Sequence, residues 1–166
     1  MHDLGKGETP AAEWPRHIAH EARSERLGRA LNARLRVATD VAELALLTAR
    51  EHTHVHASAG LDAAAVLRLL ERCDALRRPA RFLELLQACE CDATGRAGFA
   101  EQPYPPRERL ARALAIAQGV DAHAAAQAAQ DRGQRGPAIA RAIASARTAA
   151  LAAALDRPSA GPCDPG

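Results

Sequence analysis

Six of the seven histidines fall within the first 56 residues, in three groups: His2 beside Asp3, then His17 with His20, then His52-Thr53-His54-Val55-His56. On a helix, residues four apart share a face, so His52 and His56 would point one way and His54 another. His17 and His20, three apart, could share a face as well. An imidazole next to a carboxylate, joined by imidazoles from other helices, is a mixed nitrogen and oxygen donor set. It suits Mn, Ni, Fe, Co or Mg better than a thiolate-type zinc site. The cysteines at 73, 89, 91 and 163 form no CxxC pair, so neither a zinc knuckle nor a disulfide framework is indicated. A divalent ion held by such donors polarises a phosphoryl oxygen and acidifies water. Taken one at a time, the same histidines read equally well as surface or capping residues of an arginine- and alanine-rich chain.

The elements that must carry these groups are helices. Alanine is about a quarter of the 166 residues and aromatics only 2%. That mixture disfavours sandwiches and barrels and favours an all-α protein. The net charge of +2 excludes a global basic field of the nucleic-acid-binding kind, and Lys6 is the only lysine. No apolar run approaches the ~20 residues of a membrane span, and the first residues lack the hydrophobic stretch of a secretory signal. The expectation is a cytoplasmic protein with reduced thiols and no membrane partner.

Periodicity predicts a helix from His20 through Leu35, after an irregular start punctuated by Gly5, Gly7, Pro10 and Pro15. Asp40-Val41-Ala42-Glu43 has the form of a capping box, opening a helix whose buried stripe would be Val41, Leu44, Ala45, Leu47 and Thr48. Asp62 caps a third helix, with Val66, Leu69, Leu70, Cys73 and Leu76 inward until Pro79 stops it. Pro79 then starts a fourth through Phe82, Leu85, Leu86 and Cys89. Residues 92–107 read as a long loop, followed by alanine-rich helices near 107–118, 121–131 and 137–155. The last eleven residues, 156–166, read as a disordered tail.

His2-Asp3-Leu4-Gly5-Lys6-Gly7 resembles the signature of the HD superfamily of metal-dependent phosphohydrolases. The longer runs HDLGKGETPAAEWPRHIAHEARS (2–24), ALLTAREHTHVH (45–56), LLERCDALRRPARF (69–82), CDATGRAGF (91–99) and GPAIARAI (136–143) are, in this order, similar to the C-terminal half of bacterial multifunctional CCA proteins. Those are tRNA nucleotidyltransferases with an appended HD domain. The resemblance implies an HD-like helical bundle over 1–91 and additional C-terminal helices over 92–155.

It also implies roles. HD enzymes bind metal through an upstream histidine, an adjacent His-Asp pair and a distal aspartate. His2 and Asp3 match the pair, and Asp74, facing inward from the third helix, is placed as the distal aspartate. His20 and His52 match further family histidines near the site, with His56 a weaker candidate on the face of His52, while His17 and His54 read as surface. Lys6 follows the pair by one turn, where it could meet a substrate phosphate as a point charge. Asp92, Gly95 and Arg96 match a family motif, read here as a loop-bracing Asp–Arg pair.

The implied cofactor is a divalent metal (Mg, Mn or Ni), and the implied substrate a nucleotide phosphate or tRNA. The implied activity is that of a 2′-nucleotidase, phosphatase or 2′,3′-cyclic phosphodiesterase, with Asp3, Lys6, His20 and His52 at the reacting phosphate. The family's upstream histidine and its nucleotidyltransferase half have no counterpart here, and Thr53 stands where some members carry aspartate. The expectation is an N-terminally truncated chain, one ligand short, with weak metal binding and reduced activity. The alternative is a non-catalytic tRNA-binding module, carried by arginines at 77, 78 and 81, at 107, 109 and 112, and at 132, 135 and 141. Oligomeric state is not legible.

Overall fold

Two short 3-10 turns, Leu4–Glu8 and Ala11–Glu13, lead into seven α-helices. These are α1 His20–Leu35, α2 Thr39–His56, α3 Ala63–Arg72, α4 Pro79–Thr94, α5 Pro105–Gly119, α6 Ala122–Asp131 and α7 Pro137–Leu155. The structure, a computed structural model, describes residues 1–155, and among them there is no strand. The fold class is all-α, as composition and periodicity predict. The expected disordered tail lies outside the described residues.

Local chemistry sets several boundaries. Asp62 caps α3 by accepting from the Ala65 amide at 2.7 Å, and Asp121 caps α6 by accepting from Ala124 at 2.9 Å. Pro79 opens α4, and Pro105 opens α5, at positions whose amides would have no helical partner. From these helices Val66, Leu69, Leu70, Phe82, Leu85, Leu86 and Leu110 are fully buried, and Leu151 of α7 joins them. α2 contributes Leu47 and Val55 to the same cluster. Burying side chains of this size stabilises by roughly 1.5–3 kcal/mol each, which is what sets the register of the helices.

Four details depart from the sequence reading. Asp40 makes no cap: α2 starts at Thr39 behind Ala38, without a side-chain hydrogen bond there. Glu43, the other half of the expected box, is drawn away by Arg78 and Arg81, and Val41 is exposed. α3 ends at Arg72 rather than running to Pro79. The Asp74 amide donates to Glu71 O and the Ala75 amide to Leu70 O, with Asp74 in the left-handed region at φ 53°. This is a Schellman closure, with Asp74 at the position that glycine usually takes. The long loop is shorter than expected, because α4 continues through Asp92 to Thr94 and α5 begins at Pro105. Finally, α7 is long and apolar enough, by length and composition, to cross a membrane. It packs against α3, α5 and α6, with Ala144 and Leu155 on the core and Leu151 inside it.

The segment before α1 is held against that helix at one point. A Cβ built on Gly5 would sit 2.2 Å from His20 O and 2.6 Å from Ser24 N, so only glycine permits this approach. The Gly5 amide donates to Ser24 Oγ at 2.8 Å, and Arg23 Nε donates to Gly5 O at 3.1 Å. Arg23 Nη2 reaches on to Thr9 Oγ1 and Ile18 O, and the Trp14 indole donates to Thr9 O. This bracing lays His2 and Asp3 over the start of α1 and the last turns of α2.

Candidate metal centre

His20 opens α1, and its Nδ1 lies 3.0 Å from His17 O. His52, one turn from the end of α2, has Nδ1 3.1 Å from Thr48 O and 3.2 Å from Ala49 O. A carbonyl only accepts, so in both rings Nδ1 carries the proton, an assignment that rests on these bonds. In the neutral form of each ring, Nε2 is then a lone pair. Those two nitrogens face each other at 3.3 Å. Asp3 Oδ1 lies 3.3 Å from the first and 3.6 Å from the second. With both rings neutral, three electron-rich atoms confront one another.

Two further observations sharpen the picture. His2 Nε2 and Asp3 Oδ1 are buried without a hydrogen-bond partner among the described residues. His2 Nε2 is nonetheless 3.2 Å from Asp92 Oδ1 and 3.4 Å from Asp3 Oδ2, close but misaligned for hydrogen bonding. Ligand atoms of His2, Asp3 and His52 all lie within 4.8 Å of one another. An ion about 2.1 Å from each ligand sets neighbouring donors about 3–3.5 Å apart, close to the Asp3–His20 and His20–His52 separations of 3.3 Å.

Electrostatics put these groups in the protonation states a cation requires. Burial would raise the Asp3 pKa, but the hydrogen bond from Lys6 Nζ at 2.7 Å and the charges of His2, Lys6 and His52 bring it below the usual carboxylate value. For His52, burial and the neighbouring His2 outweigh the pull of Asp3, so its pKa falls and the ring stays neutral. Close by, Thr53 Oγ1 donates to Glu21 Oε1 at 2.8 Å. Burial would raise the Glu21 pKa, but the hydrogen bonds from its own backbone and from Thr53, with the charges of His20 and His52, lower it overall.

The structure thus brings His2, Asp3, His20 and His52 together, with Lys6 fixed on Asp3. Asp74 is not among them. It is committed to the turn after α3, and its ion-pair partner is Arg77 at 3.9 Å. The aspartate that enters the cluster is Asp92, from the last turn of α4. It reaches His2 through Oδ1 and His56 Nε2 through Oδ2 at 3.1 Å. The expected Asp92–Arg96 brace is marginal, at 4.0 Å. Asp92 continues the Phe82, Leu85, Cys89 stripe at helical spacing, and a carboxylate on a buried face was the available signal. Tyr104, also missed, has its hydroxyl 2.8 Å from His56 Nδ1. His17 braces Thr9, and His54 sits on an exposed face near Glu51.

Most of the first two arginine clusters is engaged within the chain, with Arg112 exposed. Arg78 and Arg81 hold Glu43, Arg107 holds Glu90, and Arg109 donates to Ser58 O and Leu61 O.

Fold and site together define an all-α protein that gathers histidines and carboxylates from the ends of separate helices. No protein-family model and no solved structure matches the chain. Among curated proteins, it is 56% identical over 153 residues to the multifunctional CCA protein of Variovorax paradoxus (strain S110) and 54% identical over 160 residues to that of Leptothrix cholodnii. These alignments take in 92% and 95% of this chain but 36% and 38% of the relatives. The multifunctional CCA protein of Cupriavidus necator is 53% identical over 156 residues. The chain is thus similar to multifunctional CCA proteins over little more than a third of their length.

Proposed function

We propose that this chain is a metal-dependent phosphohydrolase module of a CCA-adding protein, acting on phosphate at the 2′ or 2′,3′ position of a ribonucleotide or of a tRNA end. The observation that carries the reading is the pair of buried, unpartnered atoms, His2 Nε2 and Asp3 Oδ1, facing the bare Nε2 atoms of His20 and His52. His2, Asp3, His52 and Asp92 would hold the ion, with His20 completing the set. Three imidazoles beside two carboxylates favour Mn, Ni, Co or Fe over Mg. Such an ion supplies Lewis acidity to a phosphoryl oxygen and lowers the pKa of water.

The remaining roles belong to the protein. Lys6 holds Asp3 Oδ2 and so turns Oδ1 towards the cluster, while its part-exposed ammonium adds positive charge for a substrate phosphate. The carbonyls of His17, Thr48 and Ala49 fix the tautomers of His20 and His52. Glu21, tied to Thr53, places a further carboxylate beside His20 at 3.5 Å.

The test is the metal content of the purified chain, read beside its hydrolysis of 2′-AMP and 2′,3′-cyclic AMP. His2→Ala, Asp3→Ala and Asp92→Asn are expected to lose both metal and activity, and Asp74→Asn to keep both. Equal metal content and equal rates in the wild type, His2→Ala and Asp3→Ala would end the proposal.

A further inference from the structure

Asp92 can present Oδ1 to the cluster only if its other oxygen is held, and the structure shows what holds it. His56, the last residue of α2, has Nε2 3.1 Å from Asp92 Oδ2 and Nδ1 2.8 Å from the Tyr104 hydroxyl. Tyr104 immediately precedes Pro105 at the start of α5 and packs on the apolar core, its ring edge-on to His56 at 5.7 Å. Residues from three helix ends therefore stand in one line: Tyr104, His56, Asp92, then His2.

We infer that Tyr104 is a positioning residue for the metal centre: its hydroxyl donates to His56 Nδ1, fixing the Nε2–H tautomer, and His56 in turn anchors Asp92 Oδ2 so that Oδ1 faces the cluster. The polarity of the line follows from its ends. Asp92 is a carboxylate and only accepts, so the hydrogen between it and His56 sits on the ring. A neutral ring with its proton on Nε2 has an acceptor at Nδ1, and the phenol supplies the donor. Burial, with the negative charges of Cys89, Asp92 and Glu90, pushes phenol ionisation well above its usual range, so the hydroxyl keeps its proton. With the hydroxyl removed, His56 can carry its proton on Nδ1 and turn a lone pair on Asp92 Oδ2. The carboxylate would then be free to rotate. Partners that orient ligands in this way commonly contribute 10- to 100-fold to metal affinity.

The inference rests on the metal reading for its consequence but not for its hydrogen-bond polarity, and the test separates the two. Nitrogen-15 shifts of the His56 ring in the metal-free wild type near neutral pH are expected to report the neutral Nε2–H form. In Tyr104→Phe, which keeps the ring and its packing, the shifts should move towards a tautomer mixture. Mn²⁺ titration calorimetry on the same variant should show affinity about 10- to 100-fold weaker. An Nδ1–H or cationic His56 in the wild type overturns the inference, as does a variant with unchanged shifts or unchanged affinity. If the wild type binds no Mn²⁺, the metal reading fails and the ring shifts alone decide the role of Tyr104.

Discussion

On one face α2 gives Leu47 and Val55 to the apolar cluster that includes Phe82, Leu85 and Leu151. On the other, it gives His52 and His56, one turn apart, to a cluster of nitrogens and carboxylates. The apolar side is complete as it stands, because its groups gain by leaving water and need no particular partner. The polar side holds two buried atoms without a hydrogen bond and two lone pairs turned on each other. Buried polar atoms in that condition cost free energy, so a region that tolerates them is reserved for something else. The helix is common to both sides; what differs is whether its neighbours satisfy it.

The comparison can be broken from the apolar side first. Phe82→Ala is expected to lower unfolding free energy by about 3–5 kcal/mol, since Phe82 is fully buried and its removal leaves a cavity. Urea denaturation would measure this, and a loss under 1 kcal/mol would contradict the assignment of the core. From the polar side, Mn²⁺ at about a hundred times its dissociation constant should raise stability by roughly 2.7 kcal/mol in the wild type and by much less in His2→Ala. Thermal melts with and without the ion would show it.

At the junction between the segment before α1 and that helix, Gly5→Ala forces a carbon onto His20 O. It should cost about 1–3 kcal/mol and weaken metal binding together, because the same contact seats His2 and Asp3. The smallest effect belongs to Glu43, whose carboxyl is held below the usual glutamate value by the hydrogen bond and charge of Arg78, then by those of Arg81. A lowered folded pKa means that this contribution is present above the ordinary glutamate pKa and is lost as pH falls through the lowered one. Glu43→Gln should therefore shift the urea midpoint slightly at neutral pH, and the gap should close in acid.

Periodicity made the helices legible. α1 starts at His20 and ends at Leu35 as the spacing of its apolar residues predicts, and α5 to α7 fall within two residues of their expected bounds. Asp62 announced its own cap. The His-Asp pair, His20 and His52 were legible through residue type and family resemblance. Asp74 misled because an unbroken stripe through Leu76 hid a helix end at Arg72, and aspartate is one of the few residues besides glycine that adopts a left-handed closure. Asp92 was hidden by the glycines after it, which made residues 92–94 look like loop although helical bonding carries through them. Tyr104 had no local signal. Its contact with His56 crosses 48 positions of sequence and depends on how α5 docks.

The direction in which the helices run has its own consequence. α2 expires at His56 and α4 at Thr94, so two carboxyl termini abut the cluster, whereas α1 begins there at His20. Aligned peptide dipoles place about half a negative charge at each carboxyl terminus and about half a positive charge at the amino terminus. Because α5 also begins here, with its N-cap residue Tyr104 on His56, the main-chain contributions largely offset, and the bias of this corner towards positive occupants comes from Asp3 and Asp92. Asp92 sits in the final turn of α4 against its own helix's field, a strain that a bound cation would relieve.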